Sequence, residues 1–274
     1  MRRWDEGLWI FAVVMMAGTA GTVGQTGGPQ NSATAQVESA PPKLPVYDVV
    51  SIKLNNSGGN GVEIHGRPDY YSAKNIPLKQ LLANAYDLRE DLISGVTGPI
   101  ESARFDVTAK IVEPDLDALK KFTPKQRQSM LQPFLIERFH LKAHVEIKTL
   151  PVYELTVVPG GPKFKQTAAD DKQSPHTDMY GGKGTTELSA GGLSMATFAK
   201  ILTGQVNRTV IDKTGLAGGY ELALKWSRDD NPDESSEVPS IFTALQEQLG
   251  LKLQPAKGPV ETLAVDHVEM PSEN

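Results

Sequence analysis

The spacing of apolar residues predicts short helices and half-buried strands from residue 46 to residue 271. In residues 220–226 (YELALKW) and 144–148 (HVEIK) apolar and polar residues alternate, and this period of two is typical of strands with one buried face. A helix with one buried stripe is predicted where apolar residues recur three and four positions apart, with Asn75 as its N-cap. The apolar residues of that stripe are Leu78, Leu81, Leu82 and Ala85.

Capping residues mark two further helices. Residues 123–126 (TPKQ) form a capping box with proline at the first helical position, which predicts a helix over 126–139. Ser240 is the predicted N-cap of a helix over 241–249, and Gly250 is its predicted end. The residues predicted to face inward are Met130, Phe134, Leu135 and Phe139 in the first of these helices, and Phe242, Leu245 and Leu249 in the second.

The two halves of the chain have the same order of apolar positions. Residues 75–82 align with residues 192–199 at an offset of 117, so that Ile76, Leu78, Leu81 and Ala85 fall on Leu193, Met195, Phe198 and Leu202. The second helix of each half is followed by a predicted strand pair. These pairs are 141–148 with 152–158, and 251–254 with 260–268. We interpret this self-similarity as an internal duplication.

The predicted fold class is α+β, with two duplicated β-α-β-β-α-β-β halves and helices packed on mixed or antiparallel sheets. Glycine-rich runs between the halves favour a linker there. The predicted segments are a signal peptide (1–24), a flexible tether (25–45), a first α+β repeat (46–158), a linker (159–184) and a second α+β repeat (185–271). Whether the halves share one continuous sheet or form two hinged domains stays open at this level.

The N-terminal residues have the order of a secretory signal. A basic start (MRR) precedes an apolar run over residues 8–23, and small residues follow. Cleavage is expected after Ala20 or after the small triplet 33–35. The apolar run is shorter than the roughly 20 residues of a spanning helix. Asp5 and Glu6 depart from the usual basic start, so an uncleaved anchor is the alternative. We expect an exported protein, periplasmic or extracellular, with inner-membrane anchoring as the alternative.

Composition excludes several chemistries. The chain of 274 residues has no cysteine, which excludes disulfides, thiolate nucleophiles, zinc fingers and iron–sulfur clusters. Lys plus Arg number 28 against 33 Asp plus Glu, and a net charge of −5 argues against nucleic-acid binding. Any membrane association is expected only through the N-terminal segment if it is uncleaved.

Histidine is the first candidate for site chemistry. His140 and His144 are four residues apart, the spacing of two zinc ligands on one helix. Here the stretch predicts a strand, in which positions four apart lie about 13 Å from each other, too far to hold one ion. His267 lies in the final alternating strand, and Asp266 is expected on the opposite face. We therefore predict no metal, no cofactor and no catalytic set.

A binding role suits the same residues better. Most aromatic residues fall on predicted core stripes, and only Tyr70, Tyr71 and Trp226 are candidates for lining a recognition surface. The predicted binding residues are Tyr70, Tyr71, His140, His144, Trp226 and His267.

Several spaced motifs resemble one known family. They are the runs 46–53 (VYDVVSIK), 76–78 (IPL), 102–106 (SARFD), 135–142 (LIERFHLK), 150–155 (LPVYEL), 210–216 (VIDKTGL), 242–253 and 265–274. Together they are similar to domain of unknown function 3738, a large family of exported soil-bacterial proteins, over roughly residues 46–274. The resemblance implies export and relatives attached to membrane-bound regulatory metallopeptidases, without an established activity. The halves also resemble the small N-terminal domains of secretins and outer-membrane receptors, which bears on the fold alone.

Three functional hypotheses follow. The first is a non-enzymatic envelope module that binds a protein, a peptide or a cell-wall glycan, with strand addition at a sheet edge as the natural mode. The second is an exported hydrolase with a site between the halves, and the third is a membrane-tethered sensor. The residues considered for the hydrolase are His140, His144, Glu146, Asp212 and His267.

Overall fold

The computed structural model describes residues 44–59, 61–167, 175–182, 184–228 and 238–271. These residues form an α+β protein with three four-stranded sheets, so the predicted α+β class and its mixed and antiparallel sheets are confirmed. The predicted signal peptide and nearly all of the predicted tether lie outside the described residues.

The first sheet is antiparallel and belongs to the N-terminal half. Its order is β1-β5-β3-β2, and it pairs Ile52 with Val107 in the two strands β1 and β5. Its strands are β1 (Val49–Leu54), β2 (Glu63–Arg67), β3 (Tyr70–Pro77) and β5 (Arg104–Lys110). One hydrophobic core lies between this sheet and helices α1 (Leu78–Tyr86) and α5 (Gln132–Arg138), with Phe105 and Phe139 in edge-to-face contact at its centre.

The third sheet, also antiparallel, has the corresponding order β7-β11-β9-β8. Its strands are β7 (Lys165–Gln166), β8 (His176–Gly182), β9 (Thr185–Leu193) and β11 (Tyr220–Ser227). A second core joins it to α6 (Met195–Gln205) and α7 (Ile241–Ala244), which continues as one π-helical turn over Leu245–Leu249. The strands β7 and β8 lie in the segment predicted as a linker. Every residue of β8 is exposed, so the segment lacks the apolar pattern that marks a strand.

The middle sheet connects the two halves. Two long antiparallel strands, β6 (Lys142–Val157) and β12 (Leu251–His267), form its centre. The short strand β4 (Ile93–Ser94) pairs with β12 at one end, and β10 (Val210–Asp212) pairs with β6 at the other. Leu263 of β12 belongs to the first core, whereas Leu253 of the same strand belongs to the second.

Strands β6 and β12 are each continuous where a break was predicted, because the nitrogens of their prolines lie on the sides of the strands that make no backbone hydrogen bond. Two strands were predicted in place of β6, and two in place of β12. Each is continuous through its prolines, Pro151 in β6 and Pro255 and Pro259 in β12. Proline is tolerated in a strand when its nitrogen faces an unpaired edge.

The helices between β5 and β6 are shorter than predicted. They are α3 (Leu116–Lys120), α4 (Pro124–Ser129) and α5, and a further short helix, α2, spans Pro99–Ser102. The predicted single helix over 126–139 is divided because Pro133, at the start of α5, has no N–H for the helical ladder. The capping box of Thr123 and Gln126 is confirmed, as are the Ser240 cap and the left-handed Gly250 at the helix end.

Asn75 does not cap α1, and this prediction was wrong. The N-cap is Pro77, which makes no side-chain cap. Asn75 is buried at a bulge between β3 and β5, where its side-chain amide donates to the carbonyl oxygens of Gly59 and Gly61 at 2.7 and 2.8 Å. The amide therefore fastens the β1–β2 loop to the first sheet.

Candidate functional site

The three predicted histidines lie near one end of the middle sheet. His144 pairs with Ala264, and His267 pairs with Lys142, so both are on the same end of the β6–β12 ribbon. Glu269 joins the other two histidines, with Oε2 3.3 Å from His140 Nδ1 and Oε1 2.8 Å from His267 Nε2. All of these side chains are exposed to solvent by about half.

His144 is held between two carboxylates. Its Nδ1 lies 2.8 Å from Asp266 Oδ2, and its Nε2 lies 3.1 Å from Glu146 Oε1. Hydrogen bonds to Asp266 and then to Glu146 raise the pKa of His144 above its ordinary value. The pKa of Glu146 is lowered, first by its hydrogen bond to Lys148 and then by that to His144. The hydrogen bond from His267 similarly lowers the pKa of Glu269.

This arrangement favours a stable imidazolium over a catalytic base. A general base needs an unprotonated ring nitrogen within reach of its substrate. Both ring nitrogens of His144 instead face carboxylates, which favours protonation of both. Across the described residues, no group of three or more His, Asp or Glu side chains has the geometry to hold a metal ion.

Of the residues considered for a hydrolase, Asp212 lies far from the other four. Asp212 pairs with Leu155, whereas His144 lies eleven residues earlier on the same strand. At about 3.3 Å per residue, this places Asp212 roughly 35 Å from His144. The Asp212 carboxylate accepts hydrogen bonds from the backbone N–H and the hydroxyl of Thr214, which shapes the turn after β10.

Tyr70 and Tyr71 line a cavity of about 590 Å³ at one end of the first sheet, a volume in the range of small-molecule sites. The cavity lies between the β2–β3 hairpin and helices α1, α3 and α4. We name it the tyrosine pocket. Its lining residues are Tyr47, Ile64, Gly66, Arg67, Pro68, Tyr70, Tyr71, Asn84, Lys120, Pro124, Arg127, Gln128 and Leu131.

Two arginines and one lysine belong to the lining of the tyrosine pocket. The Arg67 guanidinium lies over the Tyr70 ring, 5.3 Å from its centroid, and Arg127 donates a hydrogen bond to the Phe122 carbonyl oxygen. Neither arginine forms an ion pair within the described part of the chain. Lys120 does, because its Nζ lies 3.1 Å from Asp117 Oδ1. The lining itself includes no carboxylate, and Asp69, between the lining residues Pro68 and Tyr70, is near enough to act on Tyr47. The pocket therefore offers two arginines without an ion pair beside aromatic rings.

Two phenols of the pocket, those of Tyr47 and Tyr71, are neutral hydrogen-bonding groups at physiological pH. Burial, together with the nearby Tyr71 and Asp69, raises the pKa of Tyr47 to about 12. Burial also raises the pKa of Tyr71, whose hydroxyl accepts a hydrogen bond from Asn84 Nδ2 at 3.3 Å. These hydroxyls are therefore available to donate to an oxygen of a bound molecule.

Trp226 belongs to the interior. Its side chain is in the second core and only 3% of the residue is exposed. It reaches a smaller cavity of about 470 Å³, shared with Arg228 and Ile241, so little of its ring is available to a partner.

Sequence reasoning found two of the pocket tyrosines and missed the rest of the lining. Tyr47 lies in a run that was noted only for its resemblance to the family, and Arg67 comes from a segment that shows no motif. Arg127 lies on a helix that was predicted only as a core element. The pocket forms because the first sheet brings these segments together. The nearest available signal is the presence of aromatic and basic residues around the β2–β3 turn.

The described residues define a class of protein: α+β, cysteine-free, with two large cores joined by one long β-ribbon. The chain belongs to the family described as protein of unknown function (DUF3738), whose profile matches residues 79–268. No curated protein and no solved structure matches the chain. Within the described ranges, none of the helices has the length and apolar character needed to cross a membrane.

Proposed function

We propose that the protein is a non-catalytic binding module and that its tyrosine pocket takes a small organic anion with a ring, such as a carboxylated sugar of the cell wall. One observation carries this proposal: a cavity of about 590 Å³ combines three tyrosines, two arginines and a lysine, without a carboxylate. Aromatic faces pack against the apolar faces of a ring, and arginine binds a carboxylate through two parallel hydrogen bonds.

The same lining gives little support to catalysis. Its described residues include no histidine, carboxylate, serine or threonine, the side chains that most often serve as bases or nucleophiles. The histidines of the middle sheet lie outside this lining and are bound to carboxylates. Binding is therefore the role that the pocket supports best.

A matched pair of sugars tests the proposal. N-acetylmuramic acid carries a lactyl ether that N-acetylglucosamine lacks, so the difference in their affinities measures the contribution of this carboxylate-bearing group, and its salt dependence measures the part due to charge. We expect saturable NMR shifts of pocket resonances with the acid, at least tenfold tighter binding than with the neutral sugar, and weaker binding at high salt. Equal binding of the two sugars, or shifts outside the pocket, would contradict the proposal.

Two substitutions locate the site. Arg67→Gln removes an unpaired cation from the pocket and is expected to weaken binding of the acid about tenfold or more. Lys125→Gln is the control, because Lys125 is exposed beside the pocket residue Pro124 but is not part of the lining. If both variants lose the same affinity, the effect reflects net charge and not a site.

We also propose that the two halves arose by internal duplication. The corresponding strand orders β1-β5-β3-β2 and β7-β11-β9-β8 support it. So does the middle sheet, where β4 of the first half pairs with β12 of the second half and β10 of the second half pairs with β6 of the first. The offset of about 117 residues between matching helices agrees with this pairing. Separate expression of both halves, followed by mixing, is expected to rebuild the fold only when both are present, since each contributes one ribbon strand.

Export is the third part of the proposal. The order of basic, apolar and small residues at the N-terminus supports export. The alternative is a sensor that keeps this N-terminal segment as a membrane anchor. N-terminal sequencing of the protein from its native host distinguishes these outcomes. A first residue near position 21 or 36 indicates cleavage, Met1 on a membrane-bound protein indicates an anchor, and Met1 on a cytoplasmic protein contradicts export.

A further inference from the structure

One edge of the middle sheet is open along residues 142–152. Strand β10 pairs with β6 only from Tyr153 to Leu155, and no described strand pairs with the outer side of the preceding residues. The Tyr153 N–H donates outward to the Thr209 carbonyl oxygen at 2.8 Å. Because backbone direction alternates along a strand, the N–H and C=O groups of alternate residues also point outward. These outward residues are Val145, Ile147 and Thr149.

The opposite edge of the ribbon is protected. Pro255 pairs with Tyr153, and Pro259 pairs with Thr149, so the nitrogens of both prolines face away from β6. They remove two donors from the outer edge of β12, and proline at such positions prevents the addition of another strand. The open edge of β6 retains its donors until Pro151.

The open edge also carries exposed apolar side chains. Val145 is 55% exposed and Ile147 is 62% exposed, the latter among the most exposed large hydrophobic residues of the described chain. They lie on one face, and the alternate residues Glu146 and Lys148 lie on the other. An exposed strand of this composition is a template for pairing with a further strand.

We propose that a second copy of this chain pairs with the open edge, antiparallel, about a twofold axis at Ile147. This register places Ile147 opposite Ile147 of the second copy and Val145 opposite Thr149 of the second copy. The three facing pairs exchange about six backbone hydrogen bonds, two for each pair. Four apolar side chains, two from each copy, form one stripe across the joint.

Charge complementarity selects the second copy as the occupant. In this register Glu146 lies opposite Lys148 of the second copy, and the pair occurs twice by symmetry. Moving the axis to Glu146 or to Lys148 instead places two like charges directly opposite each other. The register with its axis at Ile147, between Glu146 and Lys148, is therefore the favourable one.

The length of the open edge agrees with the same axis. Residue 147 is the midpoint of residues 142–152, so Lys142 of the second copy lies opposite Val152. Strand β6 begins at Lys142, and β10 begins to pair at Tyr153. The added strand thus fills the open segment and ends where β10 begins. The result is one continuous sheet of eight strands.

Charge exchange tests this register. Sedimentation of the full chain over a concentration series is expected to show a monomer–dimer equilibrium. Glu146→Lys and Lys148→Glu each place like charges opposite each other and should weaken the dimer at least tenfold, whereas the double exchange should restore it. Lys53→Glu, on an exposed position of β1, is the control for net charge. A monomer at all concentrations, or a dimer that the single variants leave unchanged, overturns the proposal, as does a double variant that stays monomeric.

The absence of native cysteine permits a second, geometric test. In the proposed dimer the two copies of residue 147 have Cα atoms about 5.5 Å apart, within the range of a disulfide. Ile147→Cys should therefore give a covalent dimer on mild oxidation. Thr149→Cys is the control, because its counterpart lies four residues further along the opposing strand, about 13 Å away. Equal crosslinking of both variants indicates random collision and contradicts the register.

Discussion

Asn75 offers the sharpest test of how the first sheet is held. Its side-chain amide makes two hydrogen bonds to the β1–β2 loop, and its backbone N–H donates to Asp106 Oδ1 at 2.9 Å. The residue also has a φ of 55°, in the left-handed region that asparagine tolerates better than alanine. Replacing it with alanine removes two hydrogen bonds and adds backbone strain.

The magnitude follows from these two contributions. Each lost hydrogen bond costs about 0.5–1.5 kcal/mol, and a β-carbon at positive φ costs about 1–2 kcal/mol. We therefore expect Asn75→Ala to lower the free energy of unfolding by about 2–5 kcal/mol. Asn75→Gly loses the same hydrogen bonds without the strain, so it should be about 1 kcal/mol less destabilised, after the greater flexibility of glycine in the unfolded chain is allowed for.

Urea denaturation followed by circular dichroism measures these differences, provided that the slope is unchanged. Asn207→Ala is the matched control, because Asn207 has a φ of 47° and is exposed, with no side-chain hydrogen bond in the described structure. It should show the strain alone. The reasoning is refuted if Asn75→Ala stays within about 0.5 kcal/mol of the parent, or if it costs no more than Asn207→Ala.

Three further predictions concern other parts of the fold. Gly95→Ala should lower the free energy of unfolding by about 3 kcal/mol or more, because Gly95 has a φ of 87° and an added β-carbon would lie 2.0 Å from the Val265 carbonyl oxygen. Gly204→Ala, in open space on α6, should instead raise the free energy of unfolding by up to about 1 kcal/mol, and thermal unfolding compares the two variants. The pKa of His144 should lie above 6.5 in an NMR titration and should fall in Asp266→Asn, and an unchanged pKa in the variant would contradict the hydrogen bond. Because folding raises this pKa, His144 contributes its full stabilisation of the fold below the unfolded-state pKa. That contribution is lost as the pH rises through the folded-state pKa. Thr123→Ala should lower the free energy of unfolding by about 1 kcal/mol, because the capping box is lost. An unchanged free energy in urea denaturation would show that the cap is dispensable.

Local chemistry was predictable where a few adjacent residues decide the structure. The capping box at Thr123 and the end of the last helix at Gly250 are examples, because both depend on hydrogen bonds within one turn. The division of the helix near Pro133 follows from the same local rules. The continuity of β6 through Pro151 does not, since it depends on which side of the strand is unpaired.

The candidate sites depend on pairing across long sequence separations. His144 was predicted on a strand, but its partner Asp266 comes from β12, 122 residues later. The tyrosine pocket requires the β2–β3 hairpin to face α4, whose Arg127 lies 60 residues beyond Arg67. Such contacts are set by the sheet order, which apolar periodicity does not encode.

The shared ribbon has a consequence for the timing of folding. Leu155 of β6 pairs with Leu253 of β12, and β12 supplies residues to both cores. Neither core is complete until residues 251–267 are available, so both halves remain unfinished during synthesis until that late strand emerges. Contacts of such high sequence separation slow folding. We expect the halves to lose structure together, and a chain truncated before β12 to remain a substrate for chaperones and proteases.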